Sequence, residues 1–179
     1  MRRKLTWPVR LPTMNAAEQL DALAIGKLKS KEEVHLCAQA MAASEPWLTL
    51  RRSYEESVQI LQDVEKEIYV AYRRAEVVGF IIINMKGAFL GYIQTVCIMP
   101  AWRGKGLGSK LIAFAEERIF RVSPNVFMCV SSFNPQAQDL YTRLGYEVVG
   151  TLKNYIVAGH DEILLRKTIA PWSEFRPGD

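Results

Sequence analysis

The most informative stretch of the chain is residues 96–111, which read VCIMPAWRGKGLGSKL. It runs from a segment rich in β-branched residues through Pro100 into a glycine-rich loop, and then into apolar residues at helical spacing. The glycines at positions 104, 106 and 108 let the backbone of this loop approach a ligand closely. The unpaired amides and the partial positive charge at the start of the following helix favour an anion there. The loop therefore predicts a phosphate site.

The charges around the loop agree with a phosphate site. No Asp or Glu occurs between Val77 and Ala115, whereas Lys86, Arg103, Lys105 and Lys110 all fall in this window. The glycines fit neither the Walker A spacing nor the G-x-G-x-x-G spacing of dinucleotide-binding loops. A connecting turn with solvated bases remains the alternative at this point.

The segments on both sides of the loop predict a mixed α/β fold. Helices are expected at about 31–43 and at 107–121. Another helix is expected from Ser53, with an apolar stripe formed by Val58, Leu61 and Val64. A fourth is expected from Asn134, with a buried face formed by Ala137, Leu140, Tyr141 and Leu144. Strands are expected at about 22–28, 68–72, 77–83, 89–99, 126–130, 146–152 and 163–169.

The composition limits the class of protein. Hydrophobic residues make up 49% and charged residues 23%, which is typical of a globular protein and excludes a disordered chain. The longest apolar run in the middle of the chain, at 77–83, is far shorter than the ~20 residues of a membrane-spanning helix. Cys37, Cys97 and Cys129 are odd in number and widely spaced, which argues against a disulfide framework or a zinc ribbon. With only two histidines in addition, we expect no metal site.

The net charge of +4 is concentrated at the start of the chain. Residues 1–30 hold six bases and two acids, so residues 31–179 are balanced and predict no nucleic-acid-binding surface. We expect a flexible basic arm over residues 1–20, one domain over 21–170 and a tail over 171–179. The basic start lacks the apolar stretch of a secretory signal, and reduced thiols together with this predict a cytoplasmic protein.

Two motifs in order resemble those of the GNAT superfamily of N-acetyltransferases. Residues 96–111 resemble its acetyl-CoA motif, R/Q-x-x-G-x-G/A, and residues 134–146, NPQAQDLYTRLGY, resemble its second motif, N-x-x-A-x-x-L-Y-x-x-x-G-F/Y. The resemblance runs from about residue 68 to 168. It implies a single-domain α/β fold with a mixed sheet that is antiparallel in its N-terminal part. A central parallel strand pair would be splayed around the cofactor, and about four helices would flank the sheet.

The resemblance also implies an enzyme that transfers an acetyl group from acetyl-CoA to a primary amine by direct attack in a ternary complex. The backbone of Val96, Cys97 and Ile98 would pair with the pantetheine arm, and Asn134 would contact the cofactor between the splayed strands. At the loop, the cofactor-binding residues would be Arg103, Gly104, Lys105, Gly106, Leu107, Gly108 and Ser109, with amides from Gly104 onward on the pyrophosphate. Tyr141 would be the general acid that protonates the departing thiolate, and a strand amide would stabilise the oxyanion.

Two shorter matches resemble the GNAT branch that acetylates the N-terminal alanine of a ribosomal protein. They are Pro46-Trp47 after the first helix, and residues 153–155 (KNY) followed by residues 159–162 (GHDE). That branch places a glutamate general base on the strand before the second motif, where this chain has Cys129. Glu162, Asp161 and Tyr155 are then alternatives for the base, as are a water relay and an amine that arrives deprotonated. We expect Cys129 to be a buried thiol and not an acyl-carrying nucleophile.

The acceptor is not determined by these residues and is either a small molecule or a protein N-terminus. The candidate substrate residues are Trp47, Tyr155 and Glu162. A non-catalytic acyl-CoA-binding module is the alternative function, and binding of nucleic acid by the basic arm is a third reading. We expect neither a nucleic-acid nor a membrane partner, and a homodimer is left open.

Overall fold

The structure is a computed structural model that describes residues 22–177. The expected basic arm over residues 1–20 and the end of the expected tail, at 178–179, lie outside the described residues.

Strands and helices alternate along the described range in a mixed order. The strands are β1 (Ala24–Lys27), β2 (Lys66–Arg73), β3 (Glu76–Asn84), β4 (Tyr92–Ile98), β5 (Asn125–Ser131), β6 (Glu147–Leu152) and β7 (Glu162–Thr168). The helices are α1 (Lys31–Ala42), α2 (Tyr54–Leu61), α3 (Leu107–Phe120) and α4 (Pro135–Arg143), with a short 3₁₀ turn at Pro100–Trp102.

The strands form one sheet in the order β1-β2-β3-β4-β5-β7-β6. Every neighbouring pair is antiparallel except β4 and β5, which run parallel. The predicted α/β fold is confirmed in its main features: an antiparallel N-terminal part, a central parallel pair and four flanking α-helices within residues 22–177.

Alternate residues of the central strands supply a core on each face of the sheet. On one face α3 buries Leu111, Ile112, Ala115 and Ile119 against Ile81 and Ile83 of β3, among others. On the other face α1 buries Val34, Cys37, Ala38 and Met41 against Phe80 and Ile82 of β3. Each fully buried Val, Leu, Ile, Phe or Met side chain among these contributes about 1.5–3 kcal/mol, so the sheet is fixed from both sides.

The parallel pair β4–β5 is hydrogen-bonded over a short length only. Its register joins Tyr92 to Phe127 and Ile93 to Met128, and the two strands separate beyond these positions. At the same place β4 carries an extra residue, Gln94, between the residues that pair with Ile82 and Ile83 of β3. Such a bulge bends its strand, and the strands diverge toward the start of α3.

The predicted apolar stripe of the second helix is wrong at Val64. The helix ends at Leu61, and the Val64 side chain is 92% exposed. Asp63 causes this stop, because its carboxylate accepts a hydrogen bond from the Glu65 amide and forms an ion pair with Lys66. Asp favours such local bonds over the helical ladder.

The third predicted strand begins at Tyr92 and not at Phe89, because a turn precedes it. Gly91 has φ +88°, and a Cβ there would lie 2.4 Å from a side-chain carbon of Ile119. The chain therefore turns tightly beneath α3 before the strand starts, and Phe89 is left half exposed. In α4, Ala137, Leu140, Tyr141 and the adjoining Leu144 are only partly buried, although they pack on the core as predicted.

Candidate active site

A cleft of about 1160 Å³ opens where β4 and β5 separate. One end is formed by the last residues of β4 and the start of α3, the floor by β5, and the wall opposite β4 by α4. The other end lies between the α1–α2 loop (residues 43–53) and the β6–β7 loop (residues 153–161). The cleft therefore extends from the start of α3 to these two loops.

The glycine loop lies at the first end of the cleft, where the geometry of its backbone can be compared with the predicted anion site. Gly104 and Gly106 have φ +72° and +73°, and a Cβ on either would meet no atom of the described residues within 4 Å. Gly106 is the N-cap of α3 and provides no side chain to its amides, and the first turn holds no acid. The amides of residues 107–109 precede the first intrahelical bond, from Lys110 to the Gly106 carbonyl, so they are free for a ligand. This arrangement suits a pyrophosphate.

The basic side chains of this loop are engaged with the protein. Arg103 donates from Nε to the Ile98 carbonyl at 3.0 Å and from Nη2 to Ser44 Oγ at 2.9 Å. Lys105 donates to the Ala101 carbonyl at 3.1 Å, with its Nζ 4.6 Å from the centre of the Trp102 ring. Arg103 thus ties the loop to the end of β4, and the loop's backbone is what faces outward.

The outer edge of β4 is free for a ligand beyond Ile93. Val96, Cys97 and Ile98 all line the cleft, and within residues 22–177 they have no partner strand on the β5 side. The Cys97 side chain is buried in the core, and burial raises the pKa of its thiol to about 12. Cys97 therefore offers its backbone and not a reactive sulfur.

Asn134 and Tyr141 lie on the opposite wall of the cleft. Asn134 caps α4, since its Oδ1 accepts a hydrogen bond from the Ala137 amide at 3.2 Å, as the sequence predicts. Tyr141 follows two turns later and packs edge-on against Tyr146, with ring centres 6.1 Å apart. Burial raises the pKa of Tyr141 to about 12, so its hydroxyl keeps its proton at neutral pH and can donate it.

Cys129 lines the floor of the cleft on β5 and is partly buried. Burial raises the pKa of its thiol, and the neighbouring Tyr92 side chain offsets only part of this increase. The sulfur is therefore a poor nucleophile at neutral pH, because the thiolate is the reactive form.

Glu162 is 4% exposed and lines the same cleft from the first residue of β7. It stands opposite Ser131 in the β5–β7 register, and Ser131 Oγ donates to its Oε1 at 2.6 Å. Burial raises the pKa of the Glu162 carboxyl, and the Ser131 hydroxyl opposes that rise in part. The cleft thus contains a buried carboxylate close to its floor.

The two loops at the far end carry the remaining candidate substrate residues. Trp47 is 8% exposed, packs in the core with α1 and also forms part of the cleft wall. Tyr155 is 64% exposed and lines the same cleft from the β6–β7 loop. Core packing and cleft lining, which the sequence could not separate for Trp47, are both true of it.

The structure brings most of the predicted site residues into this one cleft. Those that line it are Trp47, Val96, Cys97, Ile98, Arg103, Gly108, Asn134, Tyr141, Tyr155 and Glu162. Those outside its lining are Gly104, Lys105, Gly106, Leu107 and Ser109, at the start of α3. The side chain of Leu107 is buried in the core, so only its amide is available.

Sequence reasoning missed Ser131 as a site residue. The alternation along β5 was a usable signal, because Val126, Met128 and Val130 are core residues and Ser131 must point to the other face. Its partner Glu162 comes from a strand 31 residues later, and no local pattern shows that pairing.

Comparison with known proteins points to the same part of the chain as the geometry of the cleft. Residues 34–146 match the acetyltransferase (GNAT) family. The chain belongs to this family. The match spans α1 through the second motif and thus includes the glycine loop, the open edge of β4 and Tyr141.

An archaeal relative in the family is an N-alpha-acetyltransferase of Sulfurisphaera tokodaii. It is 26% identical over 121 residues, which cover 60% of this chain and 72% of the relative. Several other curated relatives are matched over less than two thirds of their own length.

Solved GNAT structures share the fold. The ribosomal-protein-S18-alanine N-acetyltransferase from Escherichia coli has a TM-score of 0.67 at 18% identity, with 86% of this chain and 97% of that chain covered. An aminoglycoside 6'-N-acetyltransferase complexed with coenzyme A also has a TM-score of 0.67, at 15% identity, with 83% and 98% covered.

The family identifies the protein as an acetyl-CoA-dependent N-acetyltransferase with an amine acceptor. Acetyl-CoA is its co-substrate, and a non-catalytic acyl-CoA-binding module is not favoured. Among residues 22–177, no helix is long and apolar enough to cross a bilayer. In the same range no group of three or more His, Cys, Asp or Glu residues could hold a metal ion.

Proposed function

We propose that the protein acetylates a primary amine by direct attack of the amine on acetyl-CoA, with both substrates bound in the one cleft. The observation that carries this proposal is that the open edge of β4, Tyr141 and residues of the two loops all line one cleft. A ternary complex needs such a shared space, because holding both reactants in contact removes most of the entropic cost of their meeting.

The loop and β4 bind the co-substrate in this proposal. The amides at the start of α3 receive the pyrophosphate, and the backbone of residues 96–98 pairs with the pantetheine arm as an added strand would. Asn134 contacts the same arm with its amide nitrogen, because its Oδ1 is engaged in capping α4. The thioester then lies between the strands, where Tyr141 donates a proton to the departing sulfur.

The acceptor enters between the α1–α2 and β6–β7 loops. Both acceptor classes have support among the relatives, since one is an N-alpha-acetyltransferase and one solved neighbour is an aminoglycoside acetyltransferase. Trp47 and Tyr155 contact the acceptor in either case.

We further propose that the protein is cytoplasmic and acts without a nucleic-acid or membrane partner, in line with the balanced charge of residues 31–179.

A homodimer has support in β6, an edge strand on which Val148 and Val149 are 67% and 54% exposed. Light scattering of the purified full chain measures the mass and tests the dimer directly.

The test of the function is release of CoA thiol from acetyl-CoA in the presence of an amine panel. The panel contains a hexapeptide with a free N-terminal alanine, the same peptide with a blocked N-terminus, and an aminoglycoside. We expect turnover above the acceptor-free rate with a free amine and none with the blocked peptide. Stabilisation of the fold by CoA without turnover on any amine would instead indicate a binding module.

A further inference from the structure

The position aligned with the family branch's glutamate base is Cys129, but a carboxylate reaches the same cleft from the next strand. Glu162 begins β7, which lies beside β5 in the sheet, and it is paired with Ser131 of β5. Directly opposed residues of an antiparallel pair point to the same face. Glu162, Ser131 and Cys129 therefore share the face of the sheet that forms the cleft floor.

We propose that Glu162 is the general base that takes the proton from the acceptor's ammonium group. The inference rests on the proposed direct acetylation of an amine.

One carboxylate oxygen of Glu162 is fixed and the other is free. Oε1 accepts the hydrogen bond from Ser131 Oγ at 2.6 Å, which sets the orientation of the carboxylate. Oε2 has no hydrogen-bond partner in the described part of the chain. It is also not one of the solvent-inaccessible side-chain atoms there that lack a partner. It is therefore open to the cleft and available to a proton donor.

The other acids near the acceptor end are engaged. Glu45 lines the cleft, but its two oxygens accept hydrogen bonds from the amide and the hydroxyl of Thr49. Asp161 does not line the cleft, and its Oδ1 accepts from the Asn154 amide within the β6–β7 loop. Glu162 is thus the carboxylate of the cleft lining that has a free oxygen.

The surroundings make the Glu162 carboxylate a stronger base than an ordinary glutamate. Burial raises the pKa of its carboxyl above that of an ordinary glutamate, and the Ser131 hydroxyl limits the rise by stabilising the charged form. A bound ammonium group would lower it further. The titratable groups that share the cleft with it are Tyr92 and Cys97 of β4, Arg103 of the glycine loop, Cys129 of β5, Tyr141 of α4, Tyr155 of the β6–β7 loop, and Glu45 and Arg52 of the α1–α2 loop.

The proton balance of the reaction is complete with these groups. Glu162 takes one proton from R–NH₃⁺, and the freed electron pair attacks the thioester carbonyl carbon. The C–N bond forms, the C–S bond breaks, and the sulfur receives the Tyr141 proton. The second proton lost by the nitrogen returns Tyr141 to its neutral form through solvent, and Glu162 releases its proton to water, so one proton is released overall.

The decisive experiment measures kcat against pH for wild type and Glu162→Gln, with the alanine hexapeptide or whichever panel amine turns over fastest. The glutamine keeps an oxygen for Ser131 but cannot take the proton. An α-amino group has a pKa of about 8, so about a tenth of it is neutral at pH 7. Without the base only this neutral fraction can attack the thioester, so we expect kcat at pH 7 to fall about tenfold or more. Most of the loss should be regained at pH 9, with KM for acetyl-CoA unchanged.

Two further variants separate this role from a structural one. Ser131→Ala removes the hydrogen bond that lowers the pKa of Glu162, so the acidic limb of the pH profile should move to higher pH. Glu147→Gln removes an exposed carboxylate at the start of β6 and should leave the profile unchanged. The increase in melting temperature on CoA binding reports whether each variant is folded.

The outcomes are distinguishable from those of the proposed function. Absence of wild-type turnover overturns both proposals. Normal wild-type turnover with an unaltered Glu162→Gln profile overturns the role of Glu162 alone. If Glu162→Gln fails to fold, the Ser131→Ala profile decides, and an unshifted acidic limb rejects the inference.

Discussion

At the scale of single residues, the hydroxyl of Tyr141 is the group whose chemistry depends most on its place. Tyr141→Phe keeps the ring that packs on the core and against Tyr146 but removes the proton donor. We expect a loss of ~10²-fold or more in kcat, with CoA affinity and melting temperature nearly unchanged. Steady-state kinetics beside a CoA titration provide the measurement.

The same experiment separates the alternatives for Tyr141. Retention of kcat within about twofold would show that the hydroxyl is not the acid. Weaker CoA binding would make Tyr141 a cofactor contact. Because the pKa of Tyr141 is about 12, wild-type kcat should show no loss from its ionisation until the pH is well above 10.

Cys129, unlike Tyr141, is not expected to take part in the reaction. Burial and the nearby Glu162 both raise the pKa of its thiol, and no histidine is among the residues that line the cleft, so no imidazolium there stabilises the reactive thiolate. We expect Cys129→Ala to keep most of its activity. Intact-mass measurement after incubation with acetyl-CoA alone should show no acetyl group on the protein, and a trapped acetyl on Cys129 would refute direct transfer.

Which residues the sequence predicts depends on whether their partners are local. Asn134 is recognisable because the amide that it caps is three residues away. Ser131 and Glu162 form their hydrogen bond only because β7 is inserted between β5 and β6 in the sheet. That placement follows from the whole topology and not from the spacing of residues.

At the level of secondary-structure elements, the proposed anion site lies at the glycine loop and the start of α3. Gly106→Glu places a side chain and a negative charge where the pyrophosphate would bind. A ligand at ~100 times its Kd adds ~2.7 kcal/mol to the stability of the native state. We expect acetyl-CoA to raise the melting temperature of wild type and not that of the variant.

A matched control for this variant is Gly87→Glu. Gly87 has φ +80° and open space around it, like Gly106, but lies in the β3–β4 turn, at the other end of β4. Both variants strain the backbone and add a charge, so both lower the basal melting temperature. Only Gly106→Glu should lose the increase on CoA addition, and an equal increase in both would exclude the loop as the site.

The limits of the element predictions have a common cause. Helix and strand centres follow from apolar periodicity, and those centres were predicted along the described chain. The ends depend on single residues, such as Asp63, which stops α2, and Gly91, which delays β4. Asp63 acts through local hydrogen bonds and Gly91 through the close approach of α3, and periodicity detects neither.

At the scale of the whole molecule, residues 1–20 are predicted to be dispensable. They carry basic charge without apolar periodicity. We expect a chain that starts at residue 21 to keep its melting temperature and its stabilisation by acetyl-CoA. A clear fall in melting temperature on truncation would show that the segment belongs to the folded domain, and the full-length chain purified in parallel is the reference.

The short pairing between β4 and β5 has a mechanical consequence. Two paired residues on each of β4 and β5 join a four-stranded part of the sheet, β1 to β4, to a three-stranded part, β5 to β7, and we call these two parts the plates. A ligand that hydrogen-bonds to residues 96–98 and contacts α4 would bridge the two parts of the sheet and couple their stability. Amide hydrogen exchange of the two plates should then become more cooperative when CoA is present, with the two behaving as one unfolding unit.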